Sequence, residues 1–119
     1  LQGWWKMDEL SGSTMNDSSG NSRTGVIPTS SSALGNSGKF GNAFSLNGSN
    51  IYAYTSGFKG ITGGDRRTIA LWFKTSTANK PILQYGASGT ATLFKLSLNS
   101  SKDKFKPLIS PTDSPFSFT

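Results

Sequence analysis

The sequence predicts an all-β chain, an antiparallel β-sandwich of the jelly-roll type, and three observations predict it. Apolar residues come in short runs rich in aromatic and β-branched side chains, which is the strand signature. Clusters of Gly, Ser, Thr and Asn separate those runs, as at 11–14, 18–21 and 30–38, and read as turns or loops within one domain. No window of 11 to 18 residues keeps a helical apolar period.

The strands expected are 3–7, 24–27, 42–46, 51–55, 67–74, 81–84 and 92–98, with further candidates at 105–109 and 116–118. In 42–46, Phe44 and Leu46 face one way and Ala43 and Ser45 the other. The run Ile69-Ala70-Leu71-Trp72-Phe73 is apolar at every position, so it is expected in the middle of a sheet, covered on both faces. In 92–98, Thr92, Phe94, Leu96 and Leu98 alternate with Lys95 and Ser97, a strand with one face on the core and one on water. Many short strands punctuated by turns argue for a sandwich or barrel. No internal repeat is visible, which sets solenoids and propellers aside.

With 119 residues the chain has room for one domain, spanning 1–119. A chain of this size buries about 65% of its unfolded surface, enough for a core without staples. There is no cysteine, hence no disulfide framework, thiol nucleophile or thiolate metal site. There is also no histidine, which removes Ser-His-Asp and Cys-His catalysis and every histidine-ligated metal. Acid/base chemistry would fall to Asp8, Glu9, Asp17, Asp65, Asp103 and Asp113, or to a displaced lysine or tyrosine.

Twelve basic residues against six acidic ones give a net charge of +6, a balance that suits polyanionic partners. The basic residues are scattered, with only Lys102, Lys104 and Lys106 clustered, so a solvated surface is preferred over nucleic-acid binding. Anionic sugars stay open. No apolar run approaches the ~20 residues of a membrane-spanning helix. The chain opens at Leu1 with no signal peptide and is read as an excised or processed segment.

Three blocks carry a resemblance. The first runs Gly3-Trp4-Trp5-Lys6-Met7-Asp8-Glu9, then Ser11-Gly12-Ser13 and Asp17-Ser18-Ser19-Gly20-Asn21. The second is the stretch from Gly38 to Tyr52, and the third is Arg67-Thr68-Ile69-Ala70-Leu71-Trp72-Phe73-Lys74. In their order and spacing they resemble the concanavalin A-like lectin/glucanase superfamily in its laminin-G-like branch. The resemblance covers the first 75 residues and fades after Thr75. Members of that family usually run longer, so the domain is expected to be incomplete at its C-terminus. Open sheet edges would then call for a partner chain or a homo-oligomer.

Each candidate residue has two readings. Glycanases of the superfamily use paired acids about 5–5.5 Å apart. Asp8 and Glu9 are adjacent, and neighbours on a strand point to opposite faces, so they are read as surface and loop-end charges. Asp17 and Asn21 form an Asx-turn with Gly20. The resemblance also implies a structural calcium, for which they are the candidate ligands, joined by Asp8 or Asn47 from elsewhere. Calcium wants six to eight oxygens, and one carboxylate with one amide is a thin set. By its place in the first block, Trp5 matches the family's core aromatic, which sends Trp4 outward. An outward indole offers a stacking surface for the apolar face of a sugar ring. Tyr52, Tyr54 and Tyr85 are the other ligand-binding candidates, each with ring and hydroxyl; packing under loops or at a sheet edge is the alternative. The glycine-rich stretches 57–60 and 63–66 are not phosphate loops, since neither sits between strand and helix. The Asn-x-Ser sequons at Asn16, Asn47 and Asn99 are expected by chance in so serine-rich a chain.

The function expected is a non-catalytic glycan-binding module of an extracellular or cell-surface protein. A structural or adhesive protein–protein module is the rival, and a fragment of a glycoside hydrolase or polysaccharide lyase the third reading.

Overall fold

The computed structural model describes residues 1–27, 33–62, 65–86 and 93–109. It is all-β, with short antiparallel strands and no α-helix among the described residues. Two compact units divide the chain, Leu1–Phe58 and Lys59–Thr119, and each is described by itself.

In the first unit, β1 (Thr14–Met15) pairs with β2 (Gly25–Val26), Thr14 opposite Val26 and Met15 opposite Gly25. Isolated bridges widen this pair on both sides, Trp5 opposite Asp17 and Tyr54 opposite Val26. The Ser18 N–H donates to the Trp4 carbonyl at 2.7 Å, and the Ile27 N–H donates to Ser13 at 2.9 Å. Val26 and Tyr54 exchange both main-chain bonds, at 2.8 and 3.0 Å. Successive residues of a strand send their main-chain groups to opposite sides. The four rows therefore lie in the order 52–54, β2, 13–18, 4–5.

Residues opposite one another share a face, and the face alternates along each row. Met15 and Ile27 fall on the inner face and are buried. Thr14 and Val26 fall on the outer face and are exposed. The buried cluster is Ile27, Ala33 and Leu34, with Phe44, Ile51 and Ala53 packed against it. Gly25 is required on the inner face: a Cβ there would lie 2.8 Å from the Tyr54 carbonyl and strike the Met15 methyl. A hairpin pairs β3 (Asn36–Ser37) with β4 (Asn42–Ala43). Its turn is closed by the Gly38 N–H on the Gly41 carbonyl, with Gly41 at φ 62°.

In the second unit β5 (Pro81–Tyr85), β6 (Phe94–Leu98) and β7 (Phe105–Ile109) form one antiparallel sheet with β6 central. A bulge interrupts β5 between Pro81 and Leu83. Pro107 lies on β7, an edge strand, where a missing N–H is tolerated. The β6–β7 turn is held by Asn99, whose Oδ1 accepts the Asp103 and Lys104 N–H groups and whose amide donates to Asp103 at 2.8 Å.

Several expectations are corrected. The stretch 67–74 is not a central strand: among the described residues no ladder includes any part of it, and Ile69, Leu71, Trp72 and Phe73 are exposed. Apolar content favours burial, but a strand exists only where a neighbouring main chain pairs with it. The strand expected at 3–7 is reduced to the bridge at Trp5, and Met7, at φ 59°, ends it. That at 51–55 is reduced to the bridge at Tyr54. Thr14 and Asn36–Ser37, expected in loops, are in strands. Phe44 packs on the core while Leu46 is exposed, so the two do not share an environment. On β6, Ser97 is buried rather than facing water, because its hydroxyl donates to the Lys106 carbonyl at 3.2 Å. Thr92, residues 63–64 of the second glycine-rich stretch, and the candidate strand 116–118 lie outside the described residues.

Candidate functional site

The outer face of the four-row sheet gathers three of the four aromatic residues singled out above. Trp5, opposite Asp17, is on the inner side; its indole N–H donates to the Arg23 carbonyl at 2.8 Å and its ring lies 6.1 Å from Phe58. The Arg23 guanidinium covers the other ring at 4.0 Å, so Phe58 packs with Trp5 and Arg23. By alternation Trp4 is on the outer side, and it is 50% exposed. Tyr54 shares that side through its pairing with Val26, and Tyr52 follows two residues before it. They are 44% and 55% exposed, with ring centroids 5.8 Å apart.

Rows of a sheet are spaced ~4.8 Å, so the Trp4 row and the Tyr54 row stand about 14 Å apart. This face is therefore longer than a single sugar ring. Thr14, Asn16 and Val26 lie between, all exposed. The Lys6 ammonium sits 5.4 Å from the Trp4 ring centroid. Aromatic faces offer apolar stacking area, while the hydroxyls, the Asn16 side chain and the Lys6 ammonium bring hydrogen-bonding groups. Lys6 and Thr14 went unremarked in the sequence. The signal for Lys6 was its spacing, two residues after Trp4 and thus on the same face.

Asp17 holds the Trp4 row in place. Its Oδ1 accepts the Trp4 N–H at 3.0 Å and the Ser19 N–H at 2.9 Å. Its Oδ2 accepts the Ser19 hydroxyl at 2.8 Å and the Arg23 N–H at 2.9 Å. Partial burial alone would raise the Asp17 pKa. The hydrogen bonds from Trp4, Ser19 and Arg23 outweigh it and hold the carboxyl well below the usual carboxylate range. Asn21 spends its amide on the Leu1 and Gln2 carbonyls and the Ser19 hydroxyl. The pair does not fit a calcium ion: each Asp17 oxygen already accepts two donors, which leaves a cation no open carboxylate edge.

The acidic neighbours part company. Asp8 is exposed, whereas Glu9 is half-buried and its Oε1 accepts the Asn16 N–H at 2.7 Å and the Asn16 amide at 3.0 Å. Among the described residues no group of three or more His, Cys, Asp or Glu comes together. Asn47 is a turn residue whose Oδ1 accepts the N–H groups of Ser49, Asn50 and Ile51.

Tyr85, the fourth aromatic candidate, belongs to the second unit and is engaged there. Its ring stacks on Phe94 at 5.0 Å, its hydroxyl accepts from Arg67 at 3.1 Å, and Gly60 leaves room for its edge. One face of its ring and its hydroxyl are thus engaged within that unit. The second unit also carries an open apolar depression of about 470 Å³, lined by residues 69–73, Leu96 and Phe105.

No family model, no curated protein and no solved structure matches this chain. Among the described residues, no helix is long and apolar enough to cross a membrane.

Proposed function

We propose that this chain is a non-catalytic carbohydrate-binding module of a secreted or cell-surface protein, built as a β-sandwich of the concanavalin A-like, laminin-G-like kind. It holds a glycan chain against the outer face of the first unit. The observation that carries this reading is the shared exposure of Trp4, Tyr52 and Tyr54 on one side of a sheet whose other side buries Met15 and Ile27. Sugar rings present apolar C–H faces to such aromatics, and Lys6, Thr14 and the tyrosine hydroxyls bond the equatorial oxygens around them.

A glycan array probed with the purified protein, followed by tryptophan fluorescence titration of any hit, tests it. Trp4→Ala and Tyr52→Ala each weaken binding about tenfold, the equivalent of about 1.4 kcal/mol. Tyr85→Phe leaves the affinity unchanged, and chelator has no effect, because Asp17 has no open oxygen for a cation. A blank array with folded protein, or release of reducing ends from a bound polysaccharide, overturns the reading.

A further inference from the structure

Eight asparagines are spread along the chain, and only Asn47 precedes a glycine. Asn47 and Gly48 are both exposed, and Gly48 stands at φ 68°. The Asn47 Oδ1 accepts the N–H groups of Ser49, Asn50 and Ile51 at 3.0, 3.1 and 3.0 Å. Bonds to three successive residues fold the side chain over the main chain that follows it, the side on which the Gly48 nitrogen lies. The Asn47 amide nitrogen donates to the Asn50 Oδ1 at 2.7 Å, and Asn50 is exposed, so water reaches this group as well.

An asparagine Cγ and the main-chain nitrogen of the next residue can join in a succinimide ring. The reaction is intramolecular and gains from proximity. A Cβ on the next residue would crowd the ring, and Gly48 has none. Ring closure moves negative charge onto the Asn47 Oδ1. Three N–H groups already point at that oxygen, at the distances that stabilise a developing oxyanion. Hydrogen bonds to a charged acceptor are stronger than those to a neutral one, so the donors favour the intermediate over the amide. Asn99 is the internal comparison. Its Oδ1 also accepts main-chain N–H groups, from Asp103 and Lys104, but Ser100 follows it.

We infer that Asn47 is a self-deamidation site, at which the fold assists the loss of the side-chain amide. Hydroxide takes the Gly48 N–H proton, and the nitrogen bonds to the Asn47 Cγ. The oxyanion formed on Oδ1 is held by the N–H groups of Ser49, Asn50 and Ile51. Its collapse breaks the Cγ–Nδ2 bond, and Nδ2 takes a proton from water and leaves as ammonia, which restores the hydroxide. A further water opens the succinimide at either carbonyl, giving aspartate or isoaspartate. One water is consumed and one ammonia released, with no oxidation or reduction. Aspartate keeps the three donors. Isoaspartate adds a carbon to the main chain between Phe44 and Ile51, both packed on the core cluster.

The test compares the whole chain folded in buffer with the same chain unfolded in urea, at one mildly alkaline pH and one temperature. Mass spectrometry of proteolytic peptides reads the conversion of amide to carboxyl, and circular dichroism verifies that the buffered sample is folded. Asn47 converts about tenfold faster in the folded chain, a small part of what such donors contribute in a closed site. Over the same period Asn99 stays an amide, and isoaspartate accompanies aspartate at Asn47. An equal or slower rate in the folded chain overturns the inference, because the turn then gives no help. Conversion of Asn99 as fast as Asn47 overturns it, as does a product free of isoaspartate, which would bypass the ring.

Discussion

In the first unit Met15 and Ile27 lie under a four-row sheet, and Trp4, Tyr52 and Tyr54 stand on its outer side. In the second, the more apolar run Ile69-Ala70-Leu71-Trp72-Phe73 lies outside any ladder among the described residues and is exposed. The charges divide as sharply, near balance in one unit and +6 in the other. The difference teaches that apolar content is not what sorts residues into inside and outside. In the first unit, rows brought together by Asp17 and by the Val26–Tyr54 exchange create two faces, and each residue's parity then assigns it one. In the second, residues 67–74 enter no ladder among the described residues, and their parity assigns them no faces.

The contrast breaks first at Met15 against Leu71. Met15→Ala lowers stability by about 2–5 kcal/mol, the cost of emptying a buried site. Leu71→Ala stays within about 0.5 kcal/mol, as an exposed substitution does. Urea unfolding followed by circular dichroism measures both, and a large loss at Leu71 would mean that the run is buried in solution.

Asp17 sharpens the contrast through pH. Its carboxyl titrates lower in the folded chain than in the unfolded one, so the unfolded state binds more protons in the window between. The stability it contributes is therefore present above its unfolded pKa of about 3.9 and is lost as pH falls through the lower folded value. Asp17→Asn is expected to be less stable at neutral pH and to lose much of the decline on acidification. Melting temperatures from pH 7 down to 2, wild type beside variant, show this as two curves that converge in acid.

The smallest effect is expected at Asn47. Its Oδ1 accepts three N–H groups, and a carboxylate accepts them more strongly. Asn47→Asp stabilises the chain slightly, by no more than about 0.5 kcal/mol at this exposed position. A measurable loss in the same urea assay would show that the Asn47 amide bond to Asn50, rather than the oxygen, holds the turn.

Strand chemistry was legible at 24–27, 81–84 and 105–109, where short apolar runs meet turn residues and the structure has β2, β5 and β7. The opposed facing of Trp4 and Trp5 was legible too, since adjacent residues on an extended row must diverge. Thr14 was not, because a Ser-Gly-Ser-Thr cluster reads as a turn and its row is defined only by Val26 across the sheet. Tyr85 and Tyr54 look alike in sequence. One is stacked on Phe94 and bonded to Arg67; the other stands exposed beside Tyr52.

By itself the sequence determined the all-β class, the chemistry denied by the missing histidine and cysteine, and the pool of exposed-aromatic candidates. Those follow from local preferences and composition, which each residue carries with it. Tertiary structure alone decided which rows pair, hence which aromatics share a face, and that Asp17 is filled by four donors. It also decided that residues 67–74 enter no ladder among the described residues. The pairing of the rows depends on hydrogen bonds between residues more than ten positions apart, and no local pattern encodes the partner.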